Sequence, residues 1–217
     1  GDVVLHALPI YHVHGLFVAT HCALLSGSRM LWLPKFDAQE VAALLPRATV
    51  MMGVPTFYTR LLAEPTFVRA GCASIRLFVS GSAPLLPETF DAFKTRTGHP
   101  ILERYGMSET LFTLSNPYEG ERRAGTVGLP VPGCAVKVVD DEGNDAPDEQ
   151  LGELLVKGNG MMTRYWGRPD DTAASFCDGW FQTGDMAQRA ADGYVTVAGR
   201  KSVDFIKSGG FKIAARE

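Results

Sequence analysis

Leu77-Phe78-Val79-Ser80-Gly81-Ser82-Ala83-Pro84-Leu85 is the stretch on which the reading of this chain turns. Its first four residues make a short β-rich run, and Ser80 to Leu85 follow as a loop of small residues ending in Pro-Leu. Such a loop just after a strand sits where open α/β sheets bind ligands. Glycine and serine let a flat ring approach the backbone and leave N–H and hydroxyl donors exposed. Taken alone, an ordinary strand-to-helix turn is the better reading.

Working outward, Pro87 to Thr97 carries Phe90 and Phe93 one turn apart and reads as a helix, followed by the strand Ile101-Leu102-Glu103. Upstream, Thr49 to Gly53 reads as a strand, and Pro55 opens a helix through Leu62 because its missing N–H is not needed in the first turn. Asp37 and Glu40 form a capping box for a helix ending near Pro46. Val3 to Leu8 and Met30 to Leu33 are further strands, with a buried helix from Gly15 to Ser26 between them. Strands alternating with helices predict a helix-covered α/β sheet over residues 1–115.

After Asn116 the texture changes. Gly and Pro become frequent, and the apolar runs Ala135 to Val139, Leu151 to Val156 and Tyr194 to Val197 alternate with turns such as Asp141-Glu142-Gly143-Asn144 and Asp192-Gly193. This predicts a β-rich subdomain over 116–198, and residues 199–217 enter something new.

Bulk properties narrow the function. The chain has 217 residues, 46% of them hydrophobic, enough for a substantial core. A net charge of −3, with no cluster of Lys and Arg, argues against a nucleic-acid partner and for a small-molecule substrate. Cys22, Cys72, Cys134 and Cys177 form no C-x-x-C pair, which suggests a reduced, intracellular setting. No apolar run reaches the roughly 20 residues of a membrane span, and Gly15 to Leu25 is interrupted by Thr20 and His21. The expected location is cytoplasmic. Both termini read as those of a fragment, so an organellar signal stays open.

Three further stretches carry chemistry. Tyr105-Gly106-Met107-Ser108-Glu109-Thr110, expected after a strand, suits a nucleotide: Tyr105 for a base, Thr110 for a phosphate oxygen and Glu109 for Mg²⁺. Thr183-Gly184-Asp185, at the end of an apparent strand, offers a carboxylate for two adjacent ribose hydroxyls, or equally a turn acid. Gly199-Arg200 offers a cation near an anionic ligand, or a surface ion pair.

Together and in this order, Ser80 to Leu85, Tyr105 to Thr110, Thr183 to Asp185 and Gly199-Arg200 resemble the adenylate-forming superfamily of acyl-CoA synthetases, peptide-synthetase adenylation domains and luciferases. The resemblance spans almost the whole chain. It implies a ligase that joins a carboxylic acid to AMP from ATP, releasing pyrophosphate, and then transfers the acyl group to CoA. Ser82, Ala83 and Pro84 would line the adenine pocket, with Tyr105, Gly106 and Met107 beside it and Tyr105 packing on adenine. Thr110 would meet the α-phosphate and Glu109 the metal, the two sharing with His14 the catalytic roles. Asp185 would bond the ribose and Arg200 its phosphate side. Lys201 and Ser202 would form the hinge to a small C-terminal domain. Many relatives carry an acidic residue two positions after the arginine, whereas this chain has Ser202 there. Gly209 and Gly210, within Ser208-Gly209-Gly210-Phe211-Lys212, would lie near CoA.

Two elements of that superfamily are expected outside the chain: the loop that grips the β- and γ-phosphates, before Gly1, and the catalytic lysine, after Glu217. Alone, the chain is therefore expected not to complete adenylation.

The acid pocket is expected from Leu8-Pro9-Ile10-Tyr11-His12-Val13-His14-Gly15-Leu16-Phe17 and from Gly53 to Arg60. His14 would approach the reacting carboxylate. His12-x-His14 without a third ligand makes a metal the minor option. Arg60 follows Thr56 and Phe57 by about one turn and shares their face. A buried guanidinium there would pair the second carboxylate of a dicarboxylic acid, whereas a solvent-facing Arg60 would mean nothing for substrate. The phrases around His14, Pro55 and Ser82 look most like those of malonyl-CoA synthetases, with Met107 pressing on the C2 side of malonate or methylmalonate. The alternatives are a medium-chain or aryl acid, or a non-catalytic adenylate-binding module. A Rossmann-type dehydrogenase is disfavoured because no G-x-G-x-x-G follows the first strand.

Overall fold

The computed structural model describes residues 1–202 and, beyond them, the backbone of two paired strands, Phe205–Ser208 and Phe211–Ala214. In chain order the first elements are β1 (Val3–His6), a π-helical segment (His14–Thr20) running into α1 (His21–Leu25), β2 (Arg29–Trp32), α2 (Ala38–Leu44), β3 (Val50–Gly53) and α3 (Pro55–Ala63). They continue with β4 (Leu77–Ser80), α4 (Pro87–Thr97), β5 (Leu102–Met107), β6 (Leu111–Ser115) and β7 (Leu129–Pro130). These seven strands form one sheet in the order β2-β1-β3-β4-β5-β6-β7, parallel through β5 and antiparallel beyond it.

The central strands β1, β3 and β4 are buried on both faces, and alternate residues enter different cores. Leu5, Met51 and Phe78 join α2, α3 and α4 in one cluster. Val4, Val50, Met52 and Val79 turn to the other side, against Val18, Ala19 and Ala23. Local signals explain the helices. Asp37 accepts a hydrogen bond from the Glu40 N–H at the start of α2. Pro55 and Pro87 occupy the first turns of α3 and α4, and α4 ends on Gly98 at φ 84°. Phe90, Phe93 and Thr97 face inward from α4. In that core the Tyr58 hydroxyl donates to the Val79 carbonyl, tying α3 to β4.

A second sheet holds β8 (Cys134–Val139), β9 (Gly152–Gly158), β10 (Phe176–Cys177), β11 (Trp180–Arg189) and β12 (Val195–Arg200), with α5 (Pro169–Ala174) before β10. Its strands are antiparallel and enclose a third core that includes Leu114, Leu154, Val156, Phe181 and Val195. Because Leu114 belongs to β6 of the first sheet, this core joins the two sheets. The mixed architecture, a helix-covered sheet followed by β-rich structure, is the expected α/β class.

Two differences from the sequence reading bear on the site. β5 runs past Glu103 to Met107, so Tyr105, Gly106 and Met107 lie inside a strand, and only 108–110 form the turn. Asp185 lies within β11, at a break in its pairing with β9 between Gln182 and Met186. No helix among the described residues is long and apolar enough to cross a membrane.

Candidate active site

Two hollows open where β4 and β5 end. The loop after β4 turns at Ser82, which holds φ 68°, a left-handed conformation unusual for a residue with a side chain. Alternation along β5 sends Leu102 into the second core and Glu103 to the opposite side, where its Oε1 accepts from the Leu85 N–H at 2.9 Å. Arg104 returns to the side of Leu102, its Nη2 lying 3.3 Å from Met52 Sδ. Tyr105 turns back toward the β-rich sheet. A β-carbon on Gly106 would stand 1.9 Å from the Leu111 carbonyl oxygen, so glycine is required where β5 meets β6.

The larger hollow encloses about 220 Å³. Its walls are the Ser82-to-Leu85 loop, Glu103 to Met107, and Asp185, Val197, Gly199 and Arg200 from β11 and β12. At one end the Tyr105 hydroxyl donates to Asp185 Oδ2 at 2.6 Å, and Arg200 Nε lies 3.1 Å from Asp185 Oδ1. Glu103 is only 3% exposed, and among the described residues its Oε2 has no hydrogen-bond partner. Burial pushes this carboxyl up to about 7, against the opposing effect of the Leu85 N–H.

A smaller recess adjoins it, lined by Val13, His14, Val18, Gly81 and Phe112 and sharing Ser82, Arg104, Tyr105 and Gly106 with the first. His14 is buried, and burial first, then the neighbouring Arg104 charge, drives its imidazolium down to about 3. It is neutral at physiological pH. Arg104 Nη2 lies 3.4 Å from His14 Nε2, and Ser82 Oγ lies 3.2 Å from His14 Nδ1. Since a guanidinium can only donate, Nε2 accepts and Nδ1 carries the proton toward Ser82. Arg104 also lies over the Phe112 ring at 4.9 Å, and burial pushes its guanidinium down to about 10. Among the described residues, no carboxylate forms an ion pair with it.

The structure thus brings Ser82, Ala83, Pro84, Tyr105, Gly106, Met107, Asp185 and Arg200 around one cavity and His14 into the next. Thr110 and Glu109 line neither. Thr110 is buried in the turn, its N–H donating to the Met107 carbonyl, while Glu109 accepts from the Tyr165 hydroxyl at 3.1 Å. Arg60 is a correction. Its side chain is exposed and lies over the Phe36 ring at 4.9 Å, on the side of the first core, whereas the recess opens on the other side of the sheet. Arg104 is the arginine beside His14. Lys201 follows Arg200 and pairs with Glu153 at 2.7 Å, and Ser202 is exposed. Gly209 and Gly210 lie outside the described residues. Glu103 and Arg104 escaped the sequence reading; the signal was a charged pair continuing an apolar strand.

Residues 1–166 match the model of a family described as AMP-binding enzyme. The chain belongs to the AMP-binding enzyme family. Within that family it is 40% identical to the mitochondrial malonate–CoA ligase ACSF3 of Mus musculus, over all of this chain and 43% of that protein. The ATP-bound crystal structure of MatB from Rhodopseudomonas palustris superposes with a TM-score of 0.95 at 46% identity, covering 98% of this chain and 42% of that one. A malonyl-CoA ligase ternary product complex with methylmalonyl-CoA and AMP gives 0.85 at 43% identity, covering 98% of this chain and 47% of that one. The chain therefore spans less than half the length of these relatives.

Proposed function

We propose that this chain supplies the nucleotide and acid sites of an ATP-dependent acid–CoA ligase acting on malonate or methylmalonate. The observation that carries the reading is Arg104: a partly buried cation, without a carboxylate partner among the described residues, beside a neutral histidine and next to a cavity of about 220 Å³ lined by Tyr105, Asp185 and Arg200. A fatty or aromatic acid has no use for such a guanidinium, whereas the second carboxylate of a short diacid pairs with it by charge-assisted hydrogen bonds. The malonate–CoA ligase relatives support the same choice.

In this proposal adenine enters the larger cavity between the Ser82-to-Pro84 backbone and the Tyr105 ring, its amino group facing Glu103. Asp185 accepts the ribose hydroxyls and Arg200 flanks them. One carboxylate of the diacid lies against Arg104. The other attacks the α-phosphorus, forming a C–O–P link as the bond to pyrophosphate breaks. His14, neutral and held by Arg104 in the tautomer that points its Nδ1 proton at Ser82, gives no proton to the acid and acts as a polar wall that orients it. Thr110 meets the α-phosphate as the substrate draws that turn inward. The thiol sulfur of CoA then bonds to the acyl carbon, and AMP leaves. Gly209 and Gly210 are proposed to flank that thiol arm, and Lys201 and Ser202 to act as the hinge between the two steps. Residues 1–115, 116–198 and 199–217 are proposed as the corresponding structural divisions.

Magnesium is expected with ATP. Among the described residues no group of three metal-ligating side chains occurs, yet the residues fit the ion, because Mg²⁺ bound with a nucleotide needs only one or two carboxylates besides phosphates and water. Glu109 would hold it, and the ion would neutralise phosphate charge. The expected location is a reducing compartment, since all four cysteines are unpaired.

The test uses the full coding sequence that contains this chain. With malonate, Arg104→Ala should lower kcat/KM by at least a hundredfold, as truncating one partner of a desolvated charge pair costs about 3–5 kcal/mol, while Arg60→Ala should stay within about twofold. Malonate turnover that survives Arg104→Ala, or is lost in Arg60→Ala, would overturn the diacid assignment.

A further inference from the structure

Asp185 is held more firmly than a ribose acceptor on a strand needs to be. Gly184, at φ 71°, precedes it, and both lie in the one irregular stretch of the β11–β9 pairing, between Gln182 and Met186. The Asp185 N–H donates to Thr183 Oγ1 at 3.0 Å, and the Thr183 hydroxyl donates to the Leu154 carbonyl of β9 at 2.7 Å. Threonine thus replaces the ladder bonds that the irregularity removes and fixes the peptide that carries Asp185. Across the other edge Asp185 stands opposite Arg200. The side chain is fixed separately: Oδ1 faces Arg200 Nε, and Oδ2 accepts from the Tyr105 hydroxyl at 2.6 Å, a contact spanning 80 residues of sequence between the two sheets.

We infer that the Tyr105 hydroxyl is a positioning group: it sets the plane of the Asp185 carboxylate so that its oxygens meet the ribose hydroxyls of the nucleotide, a role distinct from packing of its ring on adenine. Three observations carry this. The bond is short and ends on the carboxylate oxygen opposite the one that faces Arg200, so the two contacts together fix the rotation of the group. Tyr105, Asp185 and Arg200 all line the same cavity. Burial, with the adjacent Asp185 charge, holds the phenol well above its usual range, so the proton stays on tyrosine and the hydroxyl is the donor. A carboxylate accepts several hydrogen bonds at once, so accepting from tyrosine is compatible with accepting from a diol. Phenylalanine would keep the ring and lose the hydroxyl with its contacts to Asp185 and Thr183, which is why the dideoxy nucleotide and the Asp185→Asn background are needed beside it.

The inference rests on the proposal that the cavity takes ATP, and the experiment separates the two. In the full coding sequence, Tyr105→Phe is compared with wild type for pyrophosphate release from ATP and from 2′,3′-dideoxy-ATP, which lacks the hydroxyls that Asp185 would meet. Expected is a roughly tenfold fall in kcat/KM for ATP, mainly through KM, the scale of a hydrogen bond to a charged group. The dideoxy nucleotide should change by less than about twofold, so the preference for ATP shrinks about tenfold. In an Asp185→Asn background, Tyr105→Phe should add little. Equal losses for both nucleotides would assign the hydroxyl a merely structural role and overturn the inference, as would unchanged ATP kinetics or an undiminished effect in the Asp185→Asn background. A wild type that used neither nucleotide with any acid would instead overturn the ligase proposal itself.

Discussion

Glu103→Gln should make the protein more stable at pH 8 and a poorer binder of ATP. The folded chain holds the Glu103 carboxyl at about 7, above its ordinary value of 4.5, because burial penalises the anion more than the Leu85 N–H favours it. Between those two values the folded state keeps a proton that the unfolded chain has released. The associated stability is fully present below about pH 4.5 and is lost as the pH rises to 7. At about 1.4 kcal/mol per unit, the loss reaches about 3 kcal/mol above pH 7. Glutamine has nearly the same shape, can keep its Oε1 on the Leu85 N–H and never ionises, so it removes this penalty. Its amide nitrogen then replaces the unpartnered Oε2 and presents a donor to the adenine amino group, itself a donor. Urea unfolding at pH 8 should show Glu103→Gln stabilised by about 2–3 kcal/mol, and at pH 5 by less than about 1 kcal/mol. The KM for ATP should rise about tenfold, the cost of one mispaired buried donor. A variant no more stable at pH 8 than wild type would refute the reasoning about burial. Unchanged ATP kinetics would remove Glu103 from the adenine site.

Gly106→Ala should lower stability by about 3 kcal/mol or more, because the new methyl would overlap the Leu111 carbonyl at the irregularity where β5 pairs with β6; wild-type unfolding midpoints would contradict the close approach. Tyr165→Phe should release the Glu109 carboxylate from its 3.1 Å hydrogen bond and raise the Mg²⁺ concentration needed for half-maximal rate by about tenfold, with kcat at saturating Mg²⁺ little changed. A magnesium titration superimposable on that of wild type would deny Glu109 the metal role.

The framework was largely legible in the sequence, and the particular residues show why. Leu77–Ser80 and Pro87–Thr97 have the bounds expected of them, because a four-residue β-rich run, a proline at the first turn and a glycine at the last are all local signals. The π-helical His14–Thr20 was read as part of an ordinary helix, since a wider helical turn leaves no compositional mark. Arg60 shows the limit of helical spacing. It does share a face with Phe57, and both meet Phe36, but spacing alone does not say which side of the sheet that face meets. Arg104 was overlooked for the converse reason. Two charged residues in succession look like the end of a strand, whereas β5 continues and its alternation sends Glu103 and Arg104 to opposite sides, Glu103 lining the larger hollow and Arg104 lining both. Tyr105 and Asp185 were each legible as candidates, but their contact across 80 residues depends on how the two sheets pack.

The central claim is met most directly by offering the full-length enzyme ATP, Mg²⁺, CoA and equal concentrations of malonate, methylmalonate, octanoate and 4-coumarate, and identifying the thioesters by mass spectrometry while counting AMP. Malonyl-CoA or methylmalonyl-CoA should dominate, with one AMP formed per thioester. Octanoyl-CoA or coumaroyl-CoA as the main product would contradict the diacid pocket, and thioester formed with ADP in place of AMP would contradict the adenylate chemistry itself.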